Sequence, residues 1–77
     1  MTNKEFKTIE LLTKHLDMKI ESSDYDSSLA SLGVDSLQFV TMIITVTEEL
    51  DAKLSDEFLI KGTENSLLDL VNSILGN

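Results

Sequence analysis

The chain contains no cysteine, no arginine and no proline, and each absence removes a class of function. Without cysteine there is no disulfide and no thiolate metal site, so any thiol chemistry has to be brought by an attached group. Without arginine, and with 14 acidic residues against 6 lysines, the net charge of −8 argues against a nucleic-acid partner and for basic protein surfaces. With no proline there is no Pro-rich linker, and no Ala-rich one flanks the sequence either, so a freestanding protein is expected. No apolar run approaches the roughly 20 residues that span a bilayer. The start, Met1-Thr2-Asn3-Lys4-Glu5, lacks the charged and apolar regions of a signal peptide. A cytoplasmic chain with no membrane partner follows.

At 77 residues the chain suffices for one domain, spanning 1–77, with one core. A domain of this size buries only about 60% of its unfolded surface. The charge is uneven: residues 1–20 carry +1 and residues 21–77 carry −9, which places an acidic docking face beyond the first helix. Solvated acidity also serves solubility alone.

Four helices are expected. The first opens on a Thr2-x-x-Glu5 capping box and runs through Phe6, Ile9, Leu12 and Leu16 at three- and four-residue steps. Residues 17–35 are polar and turn-rich, yet hold Ile20, Tyr25, Leu29, Leu32 and Val34, which predicts a long loop pinned to the core. The run Phe39 to Thr47 is rich in β-branched residues that lean toward a strand. Its length, its cap and the helix formers Glu48-Glu49-Leu50 favour helix. Burying six such side chains, at about 1.5–3 kcal/mol each, outweighs the few tenths lost per β-branched residue. Ser55 is expected to cap a short, mobile third helix from Asp56 to about Lys61, ended by Gly62. Asn65 is expected to cap a fourth helix with apolar Leu67, Leu68, Leu70, Val71, Ile74 and Leu75. The fold class is all-α, a small four-helix bundle with a long loop between the first two helices.

One serine stands out. In Leu32-Gly33-Val34-Asp35-Ser36-Leu37, Asp35 can cap the second helix and Gln38 lies where a capping-box partner reaches back, so the helix begins at Ser36. The Ser36 hydroxyl is left on the rim, where free backbone N–H groups and the helix dipole favour an anion such as a phosphate ester. The same residues also serve simply to end a loop, and local pattern alone favours that reading.

The hexapeptide at the head of the second helix, the Glu48-Glu49-Leu50-Asp51 end of that helix, the acidic Asp56-Glu57 segment and the amphipathic last helix together resemble the acyl carrier protein family. The resemblance spans nearly the whole chain. It implies that Ser36 carries 4′-phosphopantetheine, a covalent cofactor taken from coenzyme A, and that Asp35 serves both as helix cap and in recognition by a phosphopantetheinyl transferase. It implies a monomeric carrier, not an enzyme, that holds acyl intermediates as thioesters for acyl-loading and acyl-processing enzymes in fatty acid or polyketide-type biosynthesis. Leu37, Val40, Ile44, Glu48 and Glu49 match positions that meet partner enzymes, although the spacing of the three apolar residues would serve a core as well. An apolar cleft sheltering the acyl chain would fall to Leu29, Leu32, Met42, Val46, Leu50, Leu54, Leu59, Leu68 and Val71, residues that ordinary core packing would also use.

One departure from the family pattern bears on partners. Family members commonly place acidic residues along the front of the second helix, whereas this chain has Gln38, Thr41 and Thr47. Neutral side chains cannot give short-range pairing to a basic patch, since screening acts over about 8 Å at physiological salt. A carrier dedicated to a specialised pathway such as polyketide assembly fits this better than a general one.

Other classes fare worse. Asp24, Asp26, Ser28 and Asp35 fall at positions 1, 3, 5 and 12 of a calcium-loop window, but Leu29 replaces the required glycine and the bidentate glutamate is missing. A serine hydrolase lacks its G-x-S-x-G elbow, and the single histidine, His15, reads as a surface or boundary residue of the first helix. An aminoacyl or peptidyl carrier of a nonribosomal system and an unmodified helical interaction module remain as alternatives.

Overall fold

A computed structural model describes residues 2–16 and 18–76. It contains four α-helices in chain order: α1 Asn3–Lys14, α2 Ser36–Leu50, α3 Asp56–Lys61 and α4 Leu67–Leu75. Short 3-10 turns occupy Ser22–Asp24, Ala30–Leu32 and Gly62–Glu64. Among the described residues there is no strand. The all-α bundle with a long first loop and a short third helix is as expected.

The start of α1 is closed reciprocally: the Glu5 N–H donates to Thr2 Oγ1 at 3.2 Å and the Thr2 N–H to Glu5 Oε1 at 2.8 Å. The far end is shorter than the apolar spacing suggested. The helix stops at Lys14, and Leu16 reaches the core from a tightened turn in which its N–H donates to the Thr13 carbonyl at 3.1 Å. Phe6 is exposed, and Thr8 takes the buried place instead. Its hydroxyl can be buried because it donates to the Lys4 carbonyl at 2.8 Å.

The loop between α1 and α2 is pinned, as its apolar residues required. Leu29 and Val34 are buried. The Leu29 N–H donates to the Asn65 carbonyl at 2.8 Å, and the Leu68 N–H donates to the Tyr25 carbonyl at 3.2 Å. Of the expected loop, Asp17 lies outside the described residues.

Helix α2 forms despite its β-branched run. Phe39, Met42, Ile43 and Val46 bury one face, and two threonines turn their hydroxyls onto the helix itself. Thr45 Oγ1 donates to the Thr41 carbonyl at 2.9 Å and Thr47 Oγ1 to the Ile43 carbonyl at 2.6 Å. Tertiary burial overrides local preference.

Two expected caps are corrected. Ser55 stands at the cap position of α3, but its side chain makes no capping hydrogen bond. The first turn is closed by its carbonyl, which accepts from the Phe58 and Leu59 N–H groups at 3.1 and 3.2 Å, while Asp56 and Glu57 complement the dipole. The cap of α4 is Ser66, not Asn65. The Asp69 N–H donates to Ser66 Oγ at 3.1 Å, and the Ser66 N–H to Asp69 Oδ2 at 3.0 Å. Asn65 is fully buried and otherwise engaged: its Nδ2 donates to the carbonyls of Phe58 and Gly62, each at 2.8 Å. The Oδ1 that a cap would use is enclosed without a partner, because the side chain is turned back toward the end of α3 and away from the first turn of α4. Gly62 does end α3, with φ +57° and ψ −128°, a conformation open in practice only to glycine.

Of the nine expected cleft residues, Leu29, Met42, Val46, Leu54 and Val71 are buried in the common core. Leu32 and Leu68 pack partly against it, and Leu50 and Leu59 are exposed. Core packing accounts for most of them. Helix α1 lies against α2 and α4, and α3 lies against α4. The turn Gly62–Glu64 makes the main contact from this side of the bundle to α2, which leaves a groove between α2 and α3.

Two stability outcomes separate the capping roles. Ser66→Ala should cost about 1 kcal/mol, as for a lost N-cap. Asn65→Ala should cost more, about 2–3 kcal/mol, because it removes two side-chain hydrogen bonds at about 1 kcal/mol each and empties the space of a fully buried side chain. Urea denaturation midpoints that reversed this order would return the capping role to Asn65. At the other end of the chain, the backbone hydrogen bond from Thr2 is the main cause holding the Glu5 carboxyl below the ordinary glutamate range. A lowered carboxyl pKa supports the cap above the unfolded value and releases it as pH falls through the folded one. Amide exchange measured across acid pH should therefore show the first turn of α1 opening as Glu5 is protonated, and Glu5→Gln should remove that pH dependence.

Candidate functional site

Asp35 adopts extended backbone at φ −91°, ψ 173°, which points its side chain back over the first turn of α2. The Gln38 N–H donates to Asp35 Oδ1 at 2.8 Å, and the Asp35 N–H donates to Gln38 Oε1 at 2.9 Å. The expected capping box is present with both halves made. Its consequence falls on Ser36. Because the preceding carboxylate serves as the cap, the serine becomes the first residue of the helix and its side chain stays exposed.

The approach to Asp35 is equally determined. Gly33 ends the turn Ala30–Leu32 with φ +92°, in the left-handed region that glycine enters without penalty. Val34 is then driven into the core, and the Val34 N–H is held by the Leu29 carbonyl at 3.0 Å. A buried anchor two residues upstream thus sets where Ser36 emerges.

Beside Ser36 lies a groove of about 460 Å³. One wall is α2, through Phe39, Val40, Ile43 and Ile44, and the other is the end of α3 with the turn after it, Leu59 to Thr63. Leu59 alone of the nine expected cleft residues lines it. The groove is mainly apolar, with Ser36 and Thr63 among its lining, and among the described residues that line it Lys61 is the charged one. The Lys61 ammonium has a long ion pair with Asp69 Oδ2 at 3.8 Å, with both side chains substantially exposed.

Leu37, Val40 and Ile44 are 76%, 48% and 52% exposed. They are surface residues, not core, which resolves the ambiguity of their spacing. Val40 and Ile44 follow Ser36 at four-residue intervals and so share its face of the helix. Glu48 and Glu49 are exposed in the last turn, about 18 Å from Ser36 along the axis at 1.5 Å per residue. Leu37 and Val40 thus lie within about 6 Å of Ser36 along the axis and Ile44 about 12 Å along it, with the two carboxylates at the opposite end. Thr41, Thr45 and Thr47 lie between, and the hydroxyls of the last two are taken up by the helix backbone.

Sequence reasoning missed the α3 side of the groove. Ile60 is 87% exposed, and Lys61, Gly62 and Thr63 line the same groove as Ser36. The available signal was a short helix with three consecutive apolar residues, Phe58-Leu59-Ile60, since so narrow a helix cannot bury them all. Phe58 packs inward and the next two are left out.

The calcium-like window is not assembled as a ligand set. Asp24 accepts from the Glu21 N–H at 3.1 Å, Asp35 is engaged in the cap, and no cluster of three or more His, Cys, Asp or Glu suited to a metal occurs among the described residues. His15 forms the C-terminal cap of α1 and is half-buried, with Nε2 enclosed and unpartnered.

An exposed hydroxyl on the first residue of a helix, an open apolar groove next to it and a nearby cation suit a serine-linked phosphate ester carrying a long flexible group. Comparison with known proteins points the same way. Residues 7–75 match a family described as "Phosphopantetheine attachment site". The chain is 35% identical over 75 residues to an acyl carrier protein of Buchnera aphidicola subsp. Schizaphis graminum, covering 95% of each chain. It is 38% identical over 58 residues to one of Buchnera aphidicola subsp. Acyrthosiphon pisum (strain APS), covering 74% of this chain and 72% of the relative. No solved structure matches significantly.

Asp35→Ala should destabilise the fold by about 1 kcal/mol, within the range for a lost N-cap carboxylate, whereas Asp35→Asn should be close to neutral. Thermal melts of the two variants check this: equal losses would mean that the charge, and not the capping hydrogen bond, carries the effect.

Proposed function

This chain belongs to the phosphopantetheine attachment family as an acyl carrier protein, a carrier and not an enzyme, and from that premise we propose that Ser36 is the residue to which its covalent 4′-phosphopantetheine is joined. The observation that carries the reading is the exposed Ser36 side chain at the first position of α2, beside a groove and behind a completed Asp35–Gln38 box.

On a transferase, Ser36 Oγ gives up its proton and bonds to the pantetheine-side phosphorus of coenzyme A; the pyrophosphate P–O bond breaks, 4′-phosphopantetheine stays on Ser36 as a phosphodiester, and adenosine 3′,5′-bisphosphate leaves. Asp35 contributes by holding the first turn of α2 in one conformation, so that the transferase meets a preformed edge. Its carboxylate also offers that enzyme a recognition point. Once attached, the group supplies a thiol that holds an acyl chain as a thioester, at high effective concentration for whichever enzyme is docked.

Leu37, Val40 and Ile44 form the surface that meets phosphopantetheinyl transferase and acyl-processing enzymes, with Glu48 and Glu49 as a second contact at the far end of α2. Exposed apolar side chains on one helix face support that role. The neutral stretch Thr41 to Thr47 between them supports a dedicated set of partners, in a fatty acid or polyketide-type pathway, over a wide range of basic ones. No described helix is long and apolar enough to cross a membrane; the reading is completed by a cytoplasmic, monomeric carrier.

Incubation with coenzyme A and a broad-specificity phosphopantetheinyl transferase should add the mass of one phosphopantetheine, mapped to the Ser36 peptide. Ser36→Ala should take up none while keeping the helical circular dichroism of the parent chain. Addition at another residue, or a variant that unfolds, would contradict the assignment.

A further inference from the structure

We propose that Lys61 is the counter-ion of the phosphodiester on Ser36, held across the α2–α3 groove by the turn that follows it. The inference rests on reading Ser36 as the attachment residue and adds a phosphate-binding role for the opposite wall.

A phosphodiester monoanion at Ser36 stands in an unfavourable field. The chain already carries −8, and the adjoining residue, Asp35, is an exposed carboxylate. The start of α2 offers its dipole, but that end is already partly satisfied: the Gln38 N–H is bonded to Asp35 Oδ1 and the Phe39 N–H to the Asp35 carbonyl. A cation is needed to offset the added charge. Among the described residues lining the groove onto which Ser36 opens, Lys61 is the charged one.

Lys61 is also available. Its contact with Asp69 is 3.8 Å long between exposed groups, a geometry worth little. Asp69 Oδ2 keeps its bond from the Ser66 N–H at 3.0 Å whether or not Lys61 stays, so moving the ammonium leaves the α4 cap intact. The backbone that carries Lys61 is fixed by contrast: Asn65 Nδ2 grips the Gly62 carbonyl at 2.8 Å, and the turn Gly62–Glu64 rests on α2. A flexible stem on a fixed base suits an ammonium acting as a point charge on phosphate.

The test uses the modified protein. Intact mass and peptide mapping first establish the arm on Ser36. The 31P resonance of the phosphodiester is then followed from low salt to about 0.5 M salt, where the Debye length falls to a few ångströms, in the parent, Lys61→Gln, Lys61→Arg and Asp69→Asn. The expected result is a salt-dependent 31P shift in the parent, lost in Lys61→Gln, kept in Lys61→Arg and enlarged in Asp69→Asn, where Lys61 is released. In the unmutated protein the Lys61 Cε–Hε resonances should move on attachment of the arm. An arm mapped to Ser36 with unchanged Lys61 resonances, and a 31P shift indifferent to Lys61→Gln, would overturn the counter-ion and leave the attachment site standing. An arm absent from Ser36 would overturn both.

Discussion

A single buried amide holds the lower half of the bundle together. Asn65 sits without solvent contact where α3 ends, α4 begins and the long loop crosses. Its side chain donates to the carbonyls of Phe58 and Gly62, and its own carbonyl accepts from the Leu29 N–H. The end of α3, the start of α4 and the sequence-distant loop at Leu29 are thereby fixed at one point around a side chain that has no access to water. A six-residue helix has too little intrinsic stability to persist by itself. With its last carbonyls secured from inside, α3 is held in register with α4, and the groove beside α2 has a defined second wall.

Helix α2 divides the labour of the molecule between two faces. Phe39, Met42, Ile43 and Val46 supply the core, while Ser36, Val40 and Ile44 stand along the outside. The β-branched residues are compatible with this because burial rewards them and because the threonines satisfy their hydroxyls within the helix. The result is a rod with an exposed hydroxyl and the Asp35 cap at one tip, an apolar strip along its outer face and Glu48 and Glu49 at the other tip. It suits a carrier that must present one atom reproducibly to several enzymes while keeping its own structure unchanged.

Most of this architecture was legible in the sequence where local chemistry alone determines the outcome. Thr2 with Glu5, and Asp35 with Gln38, are short-range pairs whose partners sit at fixed spacing, and both formed as read. The loop residues Leu29 and Val34 announced their burial by being apolar in a polar stretch. What could not be read depended on contacts between remote segments. Asn65 and Ser66 are both good caps by type, and only the position of α3 determines which is free to serve. Ser55 failed as a side-chain cap although its type is favourable. Whether Leu37, Val40 and Ile44 faced the core or the solvent was undecidable from their spacing, since a helix buries whichever face its neighbours cover. The groove wall from Ile60 to Thr63 was missed for the same reason, as it exists only once α3 is seated.

The long loop is anchored by buried Leu29 and Val34, and its main chain is tied to the start of α4: Leu29 to Asn65, Tyr25 to Leu68, and a bridge between Ser28 and Ser66. Hydrogen bonds of this kind do not depend on which side chains the loop carries. Outward residues such as Ser23 and Asp26 can therefore change without moving the path that leads to Ser36. The segment acts as a variable label on an invariant mount, free to acquire a new surface identity while the hydroxyl at the head of α2 stays in place.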